Sequence, residues 1–76
     1  MKDLVEFLAK SLVDDPAAVR IHTIERDDAT VIELEVAPAD LGKVIGRQGR
    51  TARALRTLLT AAGQKTRRRY ILDILD

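Results

Sequence analysis

Two glycines spaced three residues apart interrupt the most basic part of this chain. Gly46 and Gly49 enclose Arg47 and Gln48, and short helical patterns lie on both sides. Glycine accepts the left-handed backbone of a tight bend, and its missing side chain lets another molecule come close to the main chain. The free N–H groups at the start of the next helix favour an anion. The segment therefore predicts two helices joined by a bend that can receive a polyanion.

Charge is divided unevenly along the chain. Residues 1–40 have a net charge of −6 and residues 41–76 a net charge of +7, so that the whole chain carries only +1. No acidic residue lies between Leu41 and Leu72. Such asymmetry is typical of a nucleic-acid surface confined to one side of a protein. The alternative is that the two oppositely charged halves attract each other across the fold.

The length of 76 residues predicts a single small domain over 1–76. Such a chain buries only about 60% of its unfolded surface, and the absence of cysteine excludes disulfides and thiolate metal sites. The fold must depend on efficient packing or partly on a partner subunit. Acidic residues within the first apolar stretch argue against a signal peptide, and no apolar run approaches the ~20 residues of a membrane span. We expect a cytoplasmic soluble protein.

Hydrophobic periodicity divides the chain into six elements. The predicted elements are a helix over 3–13, strands over 18–26 and 30–37, a short helix over 39–45, a longer helix over 50–62 and a strand over 66–75. Asp3 and Glu6 resemble a capping box, Ile24 breaks the alternation of its strand as a bulge does, and Gly63 is a good helix stop. The longer helix is expected to bury Ala52, Leu55, Leu58, Leu59 and Ala62.

The order α-β-β-α-α-β predicts a two-layer α+β domain. A tight connection makes the first two strands an antiparallel hairpin. The third strand is reached through two helices, which suits parallel pairing with the second strand. The expected architecture is a three-stranded mixed sheet with helices packed on one face.

This order resembles a KH domain of the type II topology, because the glycine pair lies between two helices, follows Val44-Ile45 and precedes Arg50. The stretch from Gly42 to Leu59 is similar to the signature of the small bacterial KhpA family, and the resemblance covers essentially the whole chain. It implies non-catalytic binding of single-stranded RNA, as an RNA chaperone or post-transcriptional regulator. In KH domains the Gly-x-x-Gly loop clamps the backbone of about four nucleotides. The family also forms homodimers and pairs with a larger KH-domain protein.

The resemblance places the RNA site around the two glycines. The groove floor would involve Val44, Ile45 and Ala52, and a short variable loop over 63–66 implies modest affinity and weak sequence selection. The candidate RNA-binding residues are Lys43, Val44, Ile45, Gly46, Arg47, Gln48, Gly49, Arg50 and Arg53. Arg56 continues the same basic side of the helix at the i, i+3, i+6 spacing.

Two other interpretations stay open at this point. The chain is alternatively a protein-interaction adaptor that uses its sheet or first helix, with Phe7 and Val13 as candidate contacts. The run 67–69 of three arginines protects a strand edge, contributes to RNA electrostatics or pairs with Glu33 and Glu35.

The chain matches none of the enzyme signatures that its glycines suggest. The P-loop and dinucleotide-binding glycine patterns are not matched, and no nucleophile–base pair can be proposed. His22 is the single histidine, so a metal or catalytic role for it is a poor hypothesis. We predict no catalytic residue, cofactor, metal ion, small-molecule substrate or membrane partner.

Overall fold

A computed structural model describes the whole chain, residues 1–76. The three helices and three strands follow the predicted order. They are α1 Lys2–Leu12, β1 Arg20–Glu25, β2 Ala29–Glu35, α2 Leu41–Ile45, α3 Arg50–Thr66 and β3 Arg69–Ile74. Three single 3₁₀ turns lie between them, at Pro16–Ala18, Pro38–Asp40 and Arg47–Gly49.

The sheet is mixed and has the strand order β1-β2-β3. β1 and β2 form the predicted antiparallel hairpin, with Arg20 opposite Glu35 at one end and Glu25 opposite Thr30 at the other. The pairing is continuous through Ile24, so the predicted bulge is wrong. β3 pairs in parallel with β2, as expected from the two-helix crossover.

The core lies between one face of the sheet and the helices. Ile32 and Leu34 of β2 have no exposed surface, and Leu72 of β3 is buried beside them. The helices contribute the rest of the cluster: Val5 and Ala9 from α1, Val44 from α2, and Leu55 and Leu59 from α3. This arrangement confirms the predicted two-layer α+β fold. It holds α2 and the start of α3 firmly against the sheet, which fixes the position of the bend between them.

The first helix differs from its prediction in two ways. No side chain caps its N-terminus, where Met1 is the cap residue, so the predicted capping box is wrong. Phe7 is 67% exposed, because the buried stripe of α1 follows Val5 and Ala9 instead of including it. Phe7 lies two residues from each of them, about half a turn around the helix, and therefore faces solvent.

The last helix is longer than predicted. α3 continues through Gly63 to Thr66 and ends where Arg67 takes a left-handed backbone with φ of 56°. Gly63 is buried within the helix, where a Cβ would collide with the Arg68 carbonyl oxygen. It is therefore a packing glycine and not a helix stop. Residues 63–66, predicted as a variable loop, are helical, and only Arg67 and Arg68 connect α3 to β3.

Candidate nucleic-acid interface

The bend between α2 and α3 is a single 3₁₀ turn with an unusual backbone. We call Gly46–Gly49 the glycine loop. Three of its four residues have positive φ: 78° at Gly46, 58° at Gln48 and 73° at Gly49. Positive φ is disfavoured for residues that carry a Cβ, and glycine removes that cost at two of the three positions. The sequence prediction of a tight bend at this point is confirmed.

The two glycines are required for different reasons. Gly46 also has ψ of 169°, a combination that glycine alone adopts readily, and a Cβ there would lie 2.8 Å from the backbone nitrogen and from the Cβ of Thr51. Gly49 has ψ of 15°, and a Cβ there would meet no atom within 4 Å. Gly46 therefore allows the loop to pack onto the start of α3. Gly49 leaves open space in front of the main chain.

Several amides of the glycine loop are already used within the protein. The Gly46 amide donates to the Gly42 carbonyl oxygen at 2.8 Å, and the Gly49 amide donates to the Gly46 carbonyl oxygen at 3.1 Å. The Arg50 amide bonds to the Arg47 carbonyl. The expectation that a phosphate rests mainly on these main-chain amides needs correction, since the same hydrogen bonds close the turn. The amides of Gly46, Gly49 and Arg50 are therefore not free to bind a phosphate.

The side chains next to the glycine loop point to solvent. Arg47, Gln48, Arg50 and Arg53 are all exposed, and the Arg50 guanidinium donates to the Gln48 side-chain oxygen at 3.4 Å. α3 contains no acidic residue, so its first turns present uncompensated positive charge beside its N-terminal dipole. The structure thus brings four of the predicted site residues to one surface.

The apolar residues of the predicted site differ in their exposure to solvent. Ile45 is 36% exposed and forms part of the surface next to the loop. Val44 has no exposed surface, and Ala52 is buried as well. These two residues hold α2 and α3 in place from below, and neither presents an area that a base can contact.

Lys43 lies in a network of ion pairs that was not predicted from the sequence. Its ammonium is 3.2 Å from an Asp14 carboxylate oxygen and 3.6 Å from an Asp40 carboxylate oxygen. The Asp15 amide donates to Asp40 at 3.0 Å. Burial raises the pKa of Asp40, but the amides of Asp15 and Asp14 and the charge of Lys43 outweigh burial and hold this pKa below its ordinary value of 3.8. The hydrogen bond and charge of Asp14 raise the pKa of Lys43.

The three arginines before β3 have different surroundings. The Arg68 guanidinium donates to the Thr30 hydroxyl and to Glu25, both at 2.7 Å, and to the Ala29 carbonyl at 3.0 Å. It therefore ties the β1–β2 turn to the start of β3. Arg67 and Arg69 are exposed. The suggested pairing of this run with Glu33 and Glu35 is wrong, because the parallel register places Ala29 opposite Arg69 and Glu33 opposite Asp73.

Two other kinds of site receive no support from the geometry. No three side chains among His, Cys, Asp and Glu come together in a way that could hold a metal ion. None of the helices combines the length and the apolar character that crossing a membrane requires.

Comparison with known proteins gives one consistent family. A model described as "KhpA/KhpB, KH domain" matches residues 2–74. A protein of Aquifex aeolicus named RNA-binding protein KhpA is 58% identical over 76 residues, which cover 100% of this chain and 96% of the relative. A Borreliella burgdorferi protein of the same name is 53% identical over 97% of this chain and 90% of its own length.

A third relative extends this result. The protein of that name from Halalkalibacterium halodurans is 53% identical over the full length of both chains. No solved structure matches the chain. The family model and these relatives, together with the mixed sheet and the glycine loop between α2 and α3, show that the chain belongs to the KhpA/KhpB KH-domain family.

Proposed function

We propose that this chain is a cytoplasmic, non-catalytic domain that binds single-stranded RNA at the glycine loop. The observation that carries the proposal is the exposed, unpaired positive surface at the start of α3, formed by Arg47, Arg50 and Arg53 in front of the open space at Gly49. The relatives are named RNA-binding proteins, which supports the choice of RNA as ligand.

The geometry supports a phosphate contact made by side chains and by the helix dipole. Arg47 and Gln48 extend from the tip of the loop, and both can donate hydrogen bonds to phosphate oxygens. The N-terminus of the 17-residue α3 adds a partial positive charge behind them. Gly49 allows the phosphate to approach without meeting a Cβ. We propose Arg47, Gln48, Gly49, Arg50 and Arg53 as the direct contacts.

Lys43, Val44, Ile45 and Gly46 have a different part in the proposed site. Gly46 and Val44 set the position of the loop, Ile45 offers apolar surface beside it, and Lys43 is partly neutralised by Asp14. With three to five phosphate contacts, the logarithm of affinity should fall with the logarithm of salt concentration with a slope of about −2 to −3.5. The two-residue connection to β3 gives little protein to grip bases on that side, so selectivity should be modest.

The proposal is tested by Arg47→Asp combined with Gln48→Asp. Both side chains are exposed, so the fold should remain, while RNA affinity should be lost because two negative charges replace the contacts at the tip of the loop. A matched control is Arg26→Asp combined with Lys2→Gln, which changes the net charge equally at two exposed positions on other elements. Fluorescence anisotropy with mixed-sequence single-stranded RNA and circular dichroism provide the measurements. Equal affinity in a folded loop variant, or equal losses in both variants, would contradict the proposal.

A second candidate function is protein binding as an adaptor, through dimerisation or a larger KH-domain partner. Phe7 on α1 is 67% exposed and Leu58 on α3 is 50% exposed, so apolar surface is available on two helices. Val13 is partly buried against the core and is a weaker contact than expected. Sedimentation of the wild-type chain and of Phe7→Glu, with and without RNA, would separate the functions. A stable dimer that binds no RNA at low salt would favour the adaptor.

A further inference from the structure

β3 forms an open edge of the sheet beside α3. β3 pairs only with β2, so its other side has no neighbouring strand. The Leu75 amide donates to Leu34 of β2 at 2.9 Å, and backbone groups alternate in direction along a strand. The N–H and C=O groups of Tyr70, Leu72 and Ile74 therefore point away from the sheet. An open edge of this kind offers backbone donors and acceptors to a bound molecule.

One of these backbone groups is covered by an arginine. The Arg56 Nε donates to the Leu72 carbonyl oxygen at 3.4 Å across the gap between α3 and β3. Arg53, three residues earlier on the same flank of the helix, makes no side-chain hydrogen bond, and both arginines border the same shallow depression. The two arginines therefore share residue type, helix and exposure, and differ in the contact that Arg56 makes with Leu72.

Arg56 lies where bases would be expected if RNA is held at the glycine loop. It is six residues beyond Arg50, which corresponds to about 9 Å along the helix from the loop. A strand whose phosphates contact the loop can place a neighbouring base against the flank of α3 and the edge of β3. Bases in single-stranded RNA are recognised by hydrogen bonds to their edges.

We propose that Arg56 determines base specificity at this strand edge. Its guanidinium covers the Leu72 carbonyl oxygen, so a base at this place meets hydrogen-bond donors instead of an acceptor. This inference rests on the proposed RNA-binding function. A guanidinium donates and does not accept, and it matches the O6 and N7 acceptors of guanine. Adenine presents an amino group at the corresponding position and is disfavoured beside Arg56. The uncovered Leu72 carbonyl would instead accept from that amino group.

The test compares two short oligouridines that differ in one central base, guanine or adenine. Wild-type protein should bind the guanine oligomer more tightly. In Arg56→Ala the guanine-to-adenine affinity ratio should fall by about fivefold or more, since one well-placed arginine pair discriminates by at least that factor. The matched control Arg53→Ala should weaken binding to both oligomers equally and leave the ratio unchanged.

A purely structural role for Arg56 gives a different result. If Arg56 only fastens α3 to β3, Arg56→Ala lowers the melting temperature and reduces both affinities by the same factor. Arg56→Lys keeps the charge and should fold even if the alanine variant does not, yet it loses the planar fork, so its affinity ratio should also fall. An unchanged ratio in Arg56→Lys, or in folded Arg56→Ala, overturns the inference while RNA binding stands. If wild-type protein binds neither oligomer, the proposed function itself fails.

Discussion

Substitution of the two loop glycines by alanine should have unequal effects on stability. At Gly46 the new side chain meets a backbone conformation that is essentially restricted to glycine, at a cost of about 1–3 kcal/mol. It also overlaps the backbone nitrogen and Cβ of Thr51, and such overpacking costs about 1–3 kcal/mol more. At Gly49 the new Cβ enters open space in the left-handed region, at a cost of about 1–2 kcal/mol.

These costs are large for a chain of this size. The free energy of unfolding of 76 residues is about 4–11 kcal/mol. Gly49→Ala should therefore stay folded, with a melting temperature lower by about 4–16 °C. Gly46→Ala should lose about 2–6 kcal/mol, which is from about a quarter to about four fifths of the middle of the range for the whole domain.

Urea denaturation followed by far-ultraviolet circular dichroism measures both free energies. Thr51→Ala in the Gly46→Ala background removes only the hydroxyl contact, because the backbone nitrogen and Cβ of residue 51 remain, so less than half of the lost stability should return. Equal unfolding midpoints for Gly46→Ala and Gly49→Ala would refute the idea that Gly46 packs against α3 while Gly49 faces open space.

The polar contacts lead to three further predictions. Arg68→Ala should lower the free energy of unfolding by about 1–3 kcal/mol in urea denaturation, whereas Arg69→Ala should change it by less than about 0.5 kcal/mol. Equal effects would contradict the view that Arg68 ties the β1–β2 turn to β3. Asp14→Asn should remove the shorter of the two ion pairs of Lys43 and leave the pair with Asp40. RNA affinity in anisotropy titrations should therefore rise by up to about fivefold, with a steeper salt dependence, and an unchanged salt slope would mean that Lys43 lies outside the site. Because the pKa of Asp40 is lower in the folded protein than its ordinary value of 3.8, its carboxylate stabilises the fold at pH values above 3.8. This stabilisation is lost as the pH falls through the pKa of the folded state. Thermal melts of Asp40→Asn should therefore show a lower melting temperature at neutral pH and a smaller loss below about pH 4 than wild type, and parallel pH profiles would contradict this assignment.

The elements of the fold follow from local patterns that the sequence states clearly. The alternation of Ile32, Leu34 and Val36 and the glycine pair at 46 and 49 each determine a local geometry with little help from the rest of the chain. Parallel pairing of β3 follows from the two helices that precede it. These features were predictable because a period of two, a period of 3.6 and a positive φ are all properties of short segments.

Other features depend on contacts between distant residues. Gly63 looks like a helix stop in isolation, but its position under Arg68 makes it a close-packing site within α3. Leu58 fits the helical stripe by spacing and yet is half exposed, because Leu55 and Leu59 occupy the sheet-facing side. No local pattern distinguishes these cases, since the packing partner is what decides them.

The position of the loop residues in the candidate site was predictable from the sequence, whereas the ion pairs and hydrogen bonds around them were less so. Arg47, Gln48 and Arg50 are exposed where the glycine motif places them. The ion pair of Lys43 with Asp14 and the hydrogen bond of Asp15 with Asp40 join distant parts of the chain, the second across 25 residues. The contact of Arg56 with Leu72 spans 16 residues. The three-residue spacing of Asp40 and Lys43 on one helical turn was the one sequence signal for that network.

The most direct test of the account is a two-dimensional ¹H–¹⁵N NMR titration with a short single-stranded RNA. The amide signals of Arg47, Gln48 and Gly49, together with the guanidinium signals of Arg47 and Arg50, should shift first and most strongly. Signals of Glu33 and Asp73 on the opposite face of the sheet should stay in place. Shifts concentrated on that sheet face, with the glycine loop unchanged at saturating RNA, would contradict the claim that this loop receives the phosphate backbone.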